Sequence, residues 1–145
     1  MKVKISERLD ELASLIRELE EASTEIGAVT IFIGVVRGTD GLGGNRRVLK
    51  LEYEAHETLA PKVIGGMIEK SKAKHGIIDA IVEHRVGEAR VGEEVMYVIV
   101  ASKHREEGFK ALIELVDKIK HEAPIWKKEI TEEGGYWIED ISGTP

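Results

Sequence analysis

The stretch VMYVIVAS, residues 95–102, is apolar over nearly its whole length and rich in β-branched side chains. Such a run is typical of a strand buried inside a sheet. Directly after it, residues 103–123 (KHREEGFKALIELVDKIKHEA) repeat apolar side chains with the period of a helix, and Pro124 ends that repeat. This pair predicts a sheet with a long helix packed on it.

The rest of the chain divides into elements of similar length. We predict helices at 6–22 and 58–76, with Ser6 and Thr58 as their N-caps and a glycine at the end of the second. The remaining predicted strands are 27–38, 48–56, 77–87, 125–131 and 135–140, with a turn at 88–94 and a mobile glycine-rich loop at 38–47. The order α-β-β-α-β-β-α-β-β predicts an α+β fold with a mainly antiparallel sheet, and we expect residues 1–145 to form a single domain.

The composition excludes several classes of protein. The 145 residues carry a net charge of −6, which argues against broad binding to nucleic acid or to anionic membranes. The chain has no cysteine, so disulfides, cysteine-ligated metals and a persulfide on the chain itself are excluded. It shows neither a membrane span nor a signal core, and we expect it to be cytoplasmic. The five histidines lack metal-ligand spacing, so we expect no metal and no other cofactor.

Lys120 falls within the apolar stripe of the predicted helix. With Phe109 at 0° and about 100° per residue, Lys120 lies at about 20°, whereas Lys118 points to the opposite side. The other residues of the stripe, within about 80° of Phe109, are Leu112, Ile113, Val116 and Ile119. One interpretation is a last-turn lysine that favours the helix dipole and extends its ammonium to water. The other is a partly desolvated amine whose pKa falls, which makes it a usable acid, base or nucleophile.

The strand predicted at 125–131 carries two lysines in succession. Alternation places Ile125, Lys127 and Glu129 on one face and Trp126, Lys128 and Ile130 on the other. We expect Trp126 and Ile130 to face the core and Lys127 to point back toward the end of the preceding helix. The alternative is a solvated lysine pair in an exposed hairpin.

His104 and Arg105 fall where a strand passes into a helix. The start of a helix already carries partial positive charge, so basic residues there are unfavourable unless an anionic ligand binds. The alternative is that Glu106 and Glu107 neutralise this turn. Arg37 ends a buried apolar run at the edge of the glycine-rich loop, where ligand-contacting residues are common.

These basic residues predict a pocket for an anion. Its members are Arg37, His104, Arg105, Lys120, Lys127 and Lys128. The motifs GxxxxGK[ST] and HExxH are both absent from the sequence.

Four segments resemble the large, catalytic subunit of molybdopterin synthase. They are GAVTIFIGVVRG (27–38), LEYEAHETLA (51–60), HRVGEARVGEEVMYVIVASKHREEGF (84–109) and KHEAPIWKKEITEEGGYWIE (120–139). The resemblance covers about residues 26–139. Its most specific part is the order His-Arg, then Lys, then Ala-Pro-x-Trp-Lys-Lys-Glu.

The resemblance implies an α/β hammerhead fold and a sulfurtransferase of molybdenum cofactor biosynthesis. Enzymes of this family transfer two sulfurs to cyclic pyranopterin monophosphate and so form the dithiolene of molybdopterin. The sulfur arrives as a thiocarboxylate on the C-terminal Gly-Gly of a small ubiquitin-like subunit. Two large subunits form a homodimer with one small subunit at each outer end, which makes a heterotetramer.

The resemblance also implies roles for individual residues. Lys120 and Lys127 match the family's two catalytic lysines. The residues that match its substrate-contacting positions are Val35, Val36, Arg37, His104, Arg105, Lys120, Lys127, Lys128 and Glu129. In the family, the His-Arg pair can reach the pocket from the second large subunit.

Two features depart from the family pattern, and two rival functions stay open. The chain ends soon after YWI at 136–138, where some relatives carry a longer basic tail, and the acidic N-terminal helix is assigned no chemistry. One rival is a non-catalytic adaptor that binds a ubiquitin-like partner. The other is an unrelated phosphate-binding domain that uses KHR (103–105) and WKK (126–128) as its anion clamp.

Overall fold

The computed structural model of the chain describes residues 1–39 and 46–138. In chain order its elements are β1 (Lys2–Ser6), α1 (Leu12–Glu20), β2 (Ala28–Val35), β3 (Val48–Ala55), α2 (Leu59–His75), β4 (Asp79–Arg85), β5 (Gly87–Arg90), β6 (Glu94–Ser102), α3 (Arg105–Glu122), β7 (Ile125–Thr131) and β8 (Gly134–Ile138). The predicted fold class, α+β with mainly antiparallel pairing, is confirmed.

Strand β6 lies inside a four-stranded sheet of order β1-β4-β6-β2. Met96, Val98 and Val100 contribute to a core that also holds α2 and α3. Tyr97 and Ile99 face the other way, into a second core that holds α1. Because both faces of this strand are buried, its sequence is apolar at successive positions instead of alternating.

A second sheet, of order β5-β3-β7-β8, is antiparallel throughout. Val48 and Leu51 of β3 and Ala89 of β5 join the core that holds α2 and α3. The second sheet therefore shares a core with the first. Strand β7 follows α3 directly in the chain and belongs to the second sheet.

The start of α3 lies very close to the first sheet. A Cβ atom added to Gly108 would lie 2.7 Å from the Ser102 hydroxyl, which is too short for a real contact. The Thr30 hydroxyl donates to the Gly108 carbonyl at 3.3 Å. This close approach anchors α3 on β2 and β6, and so directs its far end toward β7.

The N-terminus differs from the prediction. The helix does not begin at Ser6 but at Leu12, and residues Lys2–Ser6 form β1, which pairs in parallel with β4. Val3 and Ile5 alternate with lysines and pack against the first core, a pattern of period two that the helical assignment obscured. Ser6 accepts a hydrogen bond from the Arg8 N–H in a tight turn instead of capping the helix.

Two further local predictions were wrong. The segment predicted as a turn at 88–94 begins with strand β5, because Lys50 to Tyr53 of β3 offer it a pairing edge. Thr58 precedes α2 but its side chain forms no capping hydrogen bond; His56 Nδ1 instead accepts from the Leu59 N–H at 3.0 Å. The predicted glycine end of that helix is confirmed, since Gly76 adopts a left-handed conformation there.

Some predictions lie wholly or partly outside the described residues. These are the central part of the glycine-rich loop, at 40–45, and the end of the chain, at 139–145. No helix in the described part of the chain is long and apolar enough to cross a membrane.

Candidate active site

A cleft opens where α3 ends and β7 begins. Its polar lining comes from Lys120 of α3, Lys127 of β7, Tyr53 of β3 and His84 of β4, and Met96 and Trp126 supply apolar walls. We call it the Lys120–Lys127 cleft. Residues of β2, β3, β4 and β6 meet the junction of α3 and β7 there, so the cleft exists only in the folded chain.

Lys120 reaches this cleft by a different route from the one predicted. The face of α3 that packs on the sheet consists of Gly108, Ala111, Leu115 and Ile119. Phe109 and Ile113, the expected centre of the buried stripe, are 53% and 64% exposed. The stripe prediction was therefore wrong for Phe109 and Ile113, whereas Ile119 is buried and Leu112 and Val116 pack against the core. At the start of the helix, the small residues Gly108 and Ala111 allow the close approach to the sheet. Lys120 is partly buried because the second sheet covers this end of the helix, and its Nζ lies 5.6 Å from the centre of the Phe32 ring.

The faces of β7 are the reverse of the prediction. Lys127 and Glu129 are 7% and 3% exposed, whereas Trp126, expected in the core, is 50% exposed. Tyr53 is the cross-strand partner of Lys127 on β3. The two-residue alternation was right, but it cannot tell which face meets the core. This orientation brings Lys127 and Lys120 into the same cleft.

The environment of the two lysines changes their acidity. Burial, and then the charges of Lys127 and Arg37, lower the pKa of Lys120 to about 8. Burial also lowers the pKa of Lys127 to about 8; Glu129 opposes this shift and Arg37 adds to it. With such a pKa about a tenth of each amine is neutral at pH 7, which is far more than for an ordinary lysine. The pair can therefore stabilise negative charge or release a proton near neutral pH.

Arg37, Val35 and Glu129 border a smaller cleft next to the first, and Lys127 lies between the two. Val35 is partly exposed at this site. Val36 is not brought to it, because its side chain lies in the core and its backbone groups bond to Glu93 and Gly92.

Lys128 points away from both clefts. It lies on the outer face of the second sheet, with its Nζ 5.6 Å from the centre of the Trp137 ring on the neighbouring strand. Trp126 and Trp137 line an outer cleft that Lys120 and Lys127 also reach. The structure thus separates the two adjacent lysines of the sequence onto opposite faces.

His104 and Arg105 lie at the other end of α3. With a rise of 1.5 Å per residue, Arg105 and Lys120 are about 22 Å apart along the helix. Lys74 and Lys110 line the same cleft as the His-Arg pair, together with Glu106 and Glu107. Glu107 Oε1 accepts a hydrogen bond from the His104 N–H at 2.9 Å, so part of the charge at this turn is balanced within the chain.

Sequence reasoning missed His84 and Tyr53. Both lie within strands, and neither shows a motif; a lone histidine in the apolar run IIDAIVEHRVG was the available signal. Their rings contact each other edge to face, with centroids 4.8 Å apart. Among residues 1–39 and 46–138, no group of three or more acidic or histidine side chains is placed to hold a metal ion.

Together, fold and cleft define a class: an α+β protein with one buried and one partly buried lysine in a cleft between a mixed sheet and an antiparallel one. The family model described as MoaE protein matches residues 5–122. A Pyrococcus abyssi protein named molybdopterin synthase catalytic subunit is 42% identical over 124 residues, which are 86% of this chain and 82% of that protein. The chain therefore belongs to the MoaE family.

Solved structures agree with this assignment. The crystal structure of molybdopterin synthase from Staphylococcus aureus matches with a TM-score of 0.81 and 28% identity, over 93% of this chain and 94% of that one. A chain from the complex of subunits 1 and 2 of molybdopterin-converting factor from Helicobacter pylori matches with a TM-score of 0.73, over 99% of this chain and 92% of that one. Its identity is 23%, so this second similarity concerns the fold alone.

Proposed function

We propose that the chain is the catalytic subunit of a molybdopterin synthase and acts as a sulfurtransferase. It transfers two sulfurs to cyclic pyranopterin monophosphate, and each sulfur arrives as the thiocarboxylate at the C-terminus of a small ubiquitin-like subunit. The observation that carries the proposal is the placement of Lys120 and Lys127, from two elements, in one cleft where burial lowers the pKa of both. Membership of the MoaE family supports it.

The charge of the site suits both reactants. The substrate carries a cyclic phosphate and the incoming tail ends in an anionic thiocarboxylate. Two lysines in a partly desolvated cleft stabilise such charges more strongly than lysines in water. Arg37, which influences both lysines, adds a third positive charge next to the cleft. We assign Lys120 and Lys127 the catalytic roles, and Arg37 and Glu129 to substrate binding.

Because the chain lacks cysteine, we infer that the partner subunit supplies the sulfur. The chain has no thiol of its own, so the transferred sulfur must come from another molecule. A flexible Gly-Gly tail that enters the cleft would carry it to the lysines. Ordering that tail costs conformational entropy, which contacts between the globular parts must offset.

A homodimer is part of the proposal because one chain does not hold the whole set of basic residues together. His104 and Arg105 lie about 22 Å from Lys120 along α3. A second copy could supply its own His-Arg pair to the Lys120–Lys127 cleft. The exposed apolar side chains of Phe109 and Ile113, on the same helix, supply surface for such an association.

Reconstitution tests the function directly. The purified chain is mixed with the cyclic substrate and a thiocarboxylated small subunit, and dithiolene product is measured. We expect product with the intact partner and none when the partner lacks its final glycine, although that truncated partner should still associate. Sulfur transfer from free sulfide or a small persulfide at the same rate would contradict the proposal, as would a complex that binds both reactants and forms no product.

A further inference from the structure

Tyr53 of β3 lies where the Lys120–Lys127 cleft meets the smaller cleft beside it. Among the polar residues that line these two clefts in the described part of the chain, only Tyr53 and Lys127 line both. They are cross-strand partners on β3 and β7, so their side chains share one face of the second sheet. A ligand that spans the two clefts would pass both side chains.

The ring of Tyr53 is held by packing, but its hydroxyl is not. The ring packs against the core that holds α2 and α3 and meets the His84 ring edge to face, with centroids 4.8 Å apart. The hydroxyl forms no hydrogen bond within residues 1–39 and 46–138, and it is not sealed from solvent. The O–H of a tyrosine in such a position usually finds a partner. A phenylalanine would fill the same space, so packing explains the ring and not the hydroxyl.

The charges around the smaller cleft favour an anion. Arg37 and Lys127 line it with two positive charges and Glu129 with one negative charge, which leaves one net positive charge. Arg37 lies close enough to Lys127 to help lower its pKa. Thr39 adds a second hydroxyl to the lining. Guanidinium, ammonium and hydroxyl groups are donors that bind phosphate oxygens in proteins.

The phenol stays protonated over the range in which the neighbouring lysine titrates. Burial raises the pKa of the Tyr53 phenol above its usual value of about 10, and the negative charge of Glu129 adds to this shift. The phenol is therefore still a neutral donor at pH 9, where most of Lys127, with a pKa of about 8, has lost its charge.

We propose that Tyr53 is a substrate-binding residue: its phenol O–H donates a hydrogen bond to a phosphate oxygen held where the two clefts meet, between Arg37 and Lys127. A neutral donor fixes the orientation of the phosphate, while the two cations supply the attraction. The reacting part of the substrate can then lie in the Lys120–Lys127 cleft. The inference rests on the proposed function for the identity of the substrate, but phosphate binding at Tyr53 is measurable without sulfur transfer.

A single oxygen atom distinguishes Tyr53→Phe from the wild type. The variant keeps the ring that packs against His84 and loses only the donor. Tyr97→Phe is the matched control, because Tyr97 faces the core that holds α1 and its hydroxyl donates to Glu94. Thermal unfolding verifies that both variants are folded.

The first measurement uses inorganic phosphate on the wild-type chain, so it does not depend on how Tyr53→Phe folds. The three tyrosines carry ¹³C at Cζ, and Tyr97→Phe and Tyr136→Phe assign their resonances. At constant ionic strength, we expect phosphate to shift the Tyr53 resonance in a saturable way, and Arg37→Ala to weaken this binding about 10-fold. A Tyr53 resonance that phosphate leaves unchanged, or that acetate shifts with equal affinity, would overturn the inference.

The second measurement uses the reactants of the proposed function. We expect Tyr53→Phe to raise the calorimetric Kd and the KM for the cyclic substrate about 10-fold with little change in kcat, because a hydrogen bond to a charged group is lost. This factor should be the same at pH 7 and pH 9. The loss caused by Lys127→Met should shrink over that range, since the lysine itself loses its proton. Tyr97→Phe should match the wild type.

The outcomes separate this inference from the proposed function. A wild-type chain that binds phosphate at Tyr53 but transfers no sulfur refutes the function and not the role of Tyr53. An active chain whose Tyr53→Phe variant keeps the wild-type Kd and KM for the cyclic substrate refutes that role. A variant that loses affinity for the small subunit instead also refutes it, since the phenol would then bind the carboxylate of the tail.

Discussion

Both ends of α3 carry basic residues, but only at the C-terminal end are some of them partly buried. At the C-terminal end, Lys120 is covered by the second sheet and shares a cleft with Lys127. At the N-terminal end, His104 and Arg105 are exposed, and Glu107 bonds to the backbone of His104. Burial lowers the pKa of both lysines to about 8. The difference shows that burial is the largest cause of the lowered pKa at these lysines, and that nearby positive charge adds to it.

The largest effect is expected from removing a lysine of the cleft. Lys120→Ala and Lys127→Ala should each lower the rate of sulfur transfer by about 10²- to 10⁴-fold, because each removes a charge-stabilising or proton-transferring group. The measurement is single-turnover product formation in the reconstituted complex.

Lys118→Ala is the control for this comparison. Lys118 lies on the same helix and pairs with Glu114 at 3.3 Å near the surface. It should behave nearly as the wild type. If all three variants lose the same fraction of the sulfur-transfer rate, the two lysines of the cleft are not specifically required for the reaction.

A smaller effect is expected for the residues that would hold the anionic substrate. Arg37→Ala, and the double change His104→Ala with Arg105→Ala, should weaken binding of the cyclic substrate about 10-fold or more, since each removes charged hydrogen-bond donors. Binding of the small subunit should change less. Calorimetric titration of each reactant measures both, with the exposed Lys62→Ala as the control for loss of a charge.

The distance between the two ends of α3 leads to a test of a shared site. Lys120→Ala chains and His104→Ala chains are each expected to be poorly active alone. If His104 serves the cleft of its partner, equal mixing after subunit exchange should restore about a quarter of the wild-type sites. Mass spectrometry of the mixed dimers verifies exchange. Verified exchange without recovery would place each complete site in a single chain.

The smallest effect concerns stability. The pKa of Lys120 is about 8 in the folded chain and close to 10.4 in an unfolded one, so between these values the unfolded state binds more protons and stability rises with pH. Below pH 8 the buried charge is a destabilising feature. Lys120→Met should therefore raise the free energy of unfolding by about 1 kcal/mol at pH 7.

The pH dependence of that gain is the informative part. It should shrink as the pH rises above 8 and level off above about pH 10.4, where the wild-type amine is neutral in both states. Denaturant unfolding at several pH values measures it. Lys118→Met, at the surface, should show no comparable dependence, and a gain for Lys120→Met that is constant with pH would argue against burial as the cause.

Several elements were predictable because their signal is local. Continuous β-branched runs predicted strands β2 and β6. The helical repeat of apolar residues predicted α3, and Pro124 marked its end. Gly76 marked the end of α2. The start of the chain was not predictable in this way. Val3 and Ile5 form a strand only because the edge of β4 accepts them in parallel, and β5 likewise depends on β3.

The candidate site shows the same division. Its lysines were identified from the spacing of charged and apolar residues, although the two faces of the strand were assigned the wrong way round and two residues of the helix stripe, Phe109 and Ile113, are exposed. Periodicity tells which residues share a face, but the identity of the covering layer comes from other parts of the chain. His84 and Tyr53 carry no motif and became visible only when β4 and β3 met α3 and β7.

The amino-acid sequence by itself determined the fold class, the position of most elements, the absence of a thiol and the residue types that can meet an anion. Each of these follows from composition or from contacts between near neighbours in the chain. Only the tertiary structure decided which amines are buried, which of them share a cleft, and that His104 lies at the far end of the helix from Lys120. The physical reason is that burial and charge–charge distances depend on residues that are tens of positions apart in the sequence. Burial and nearby charge lower the pKa of a lysine and so make its amine reactive.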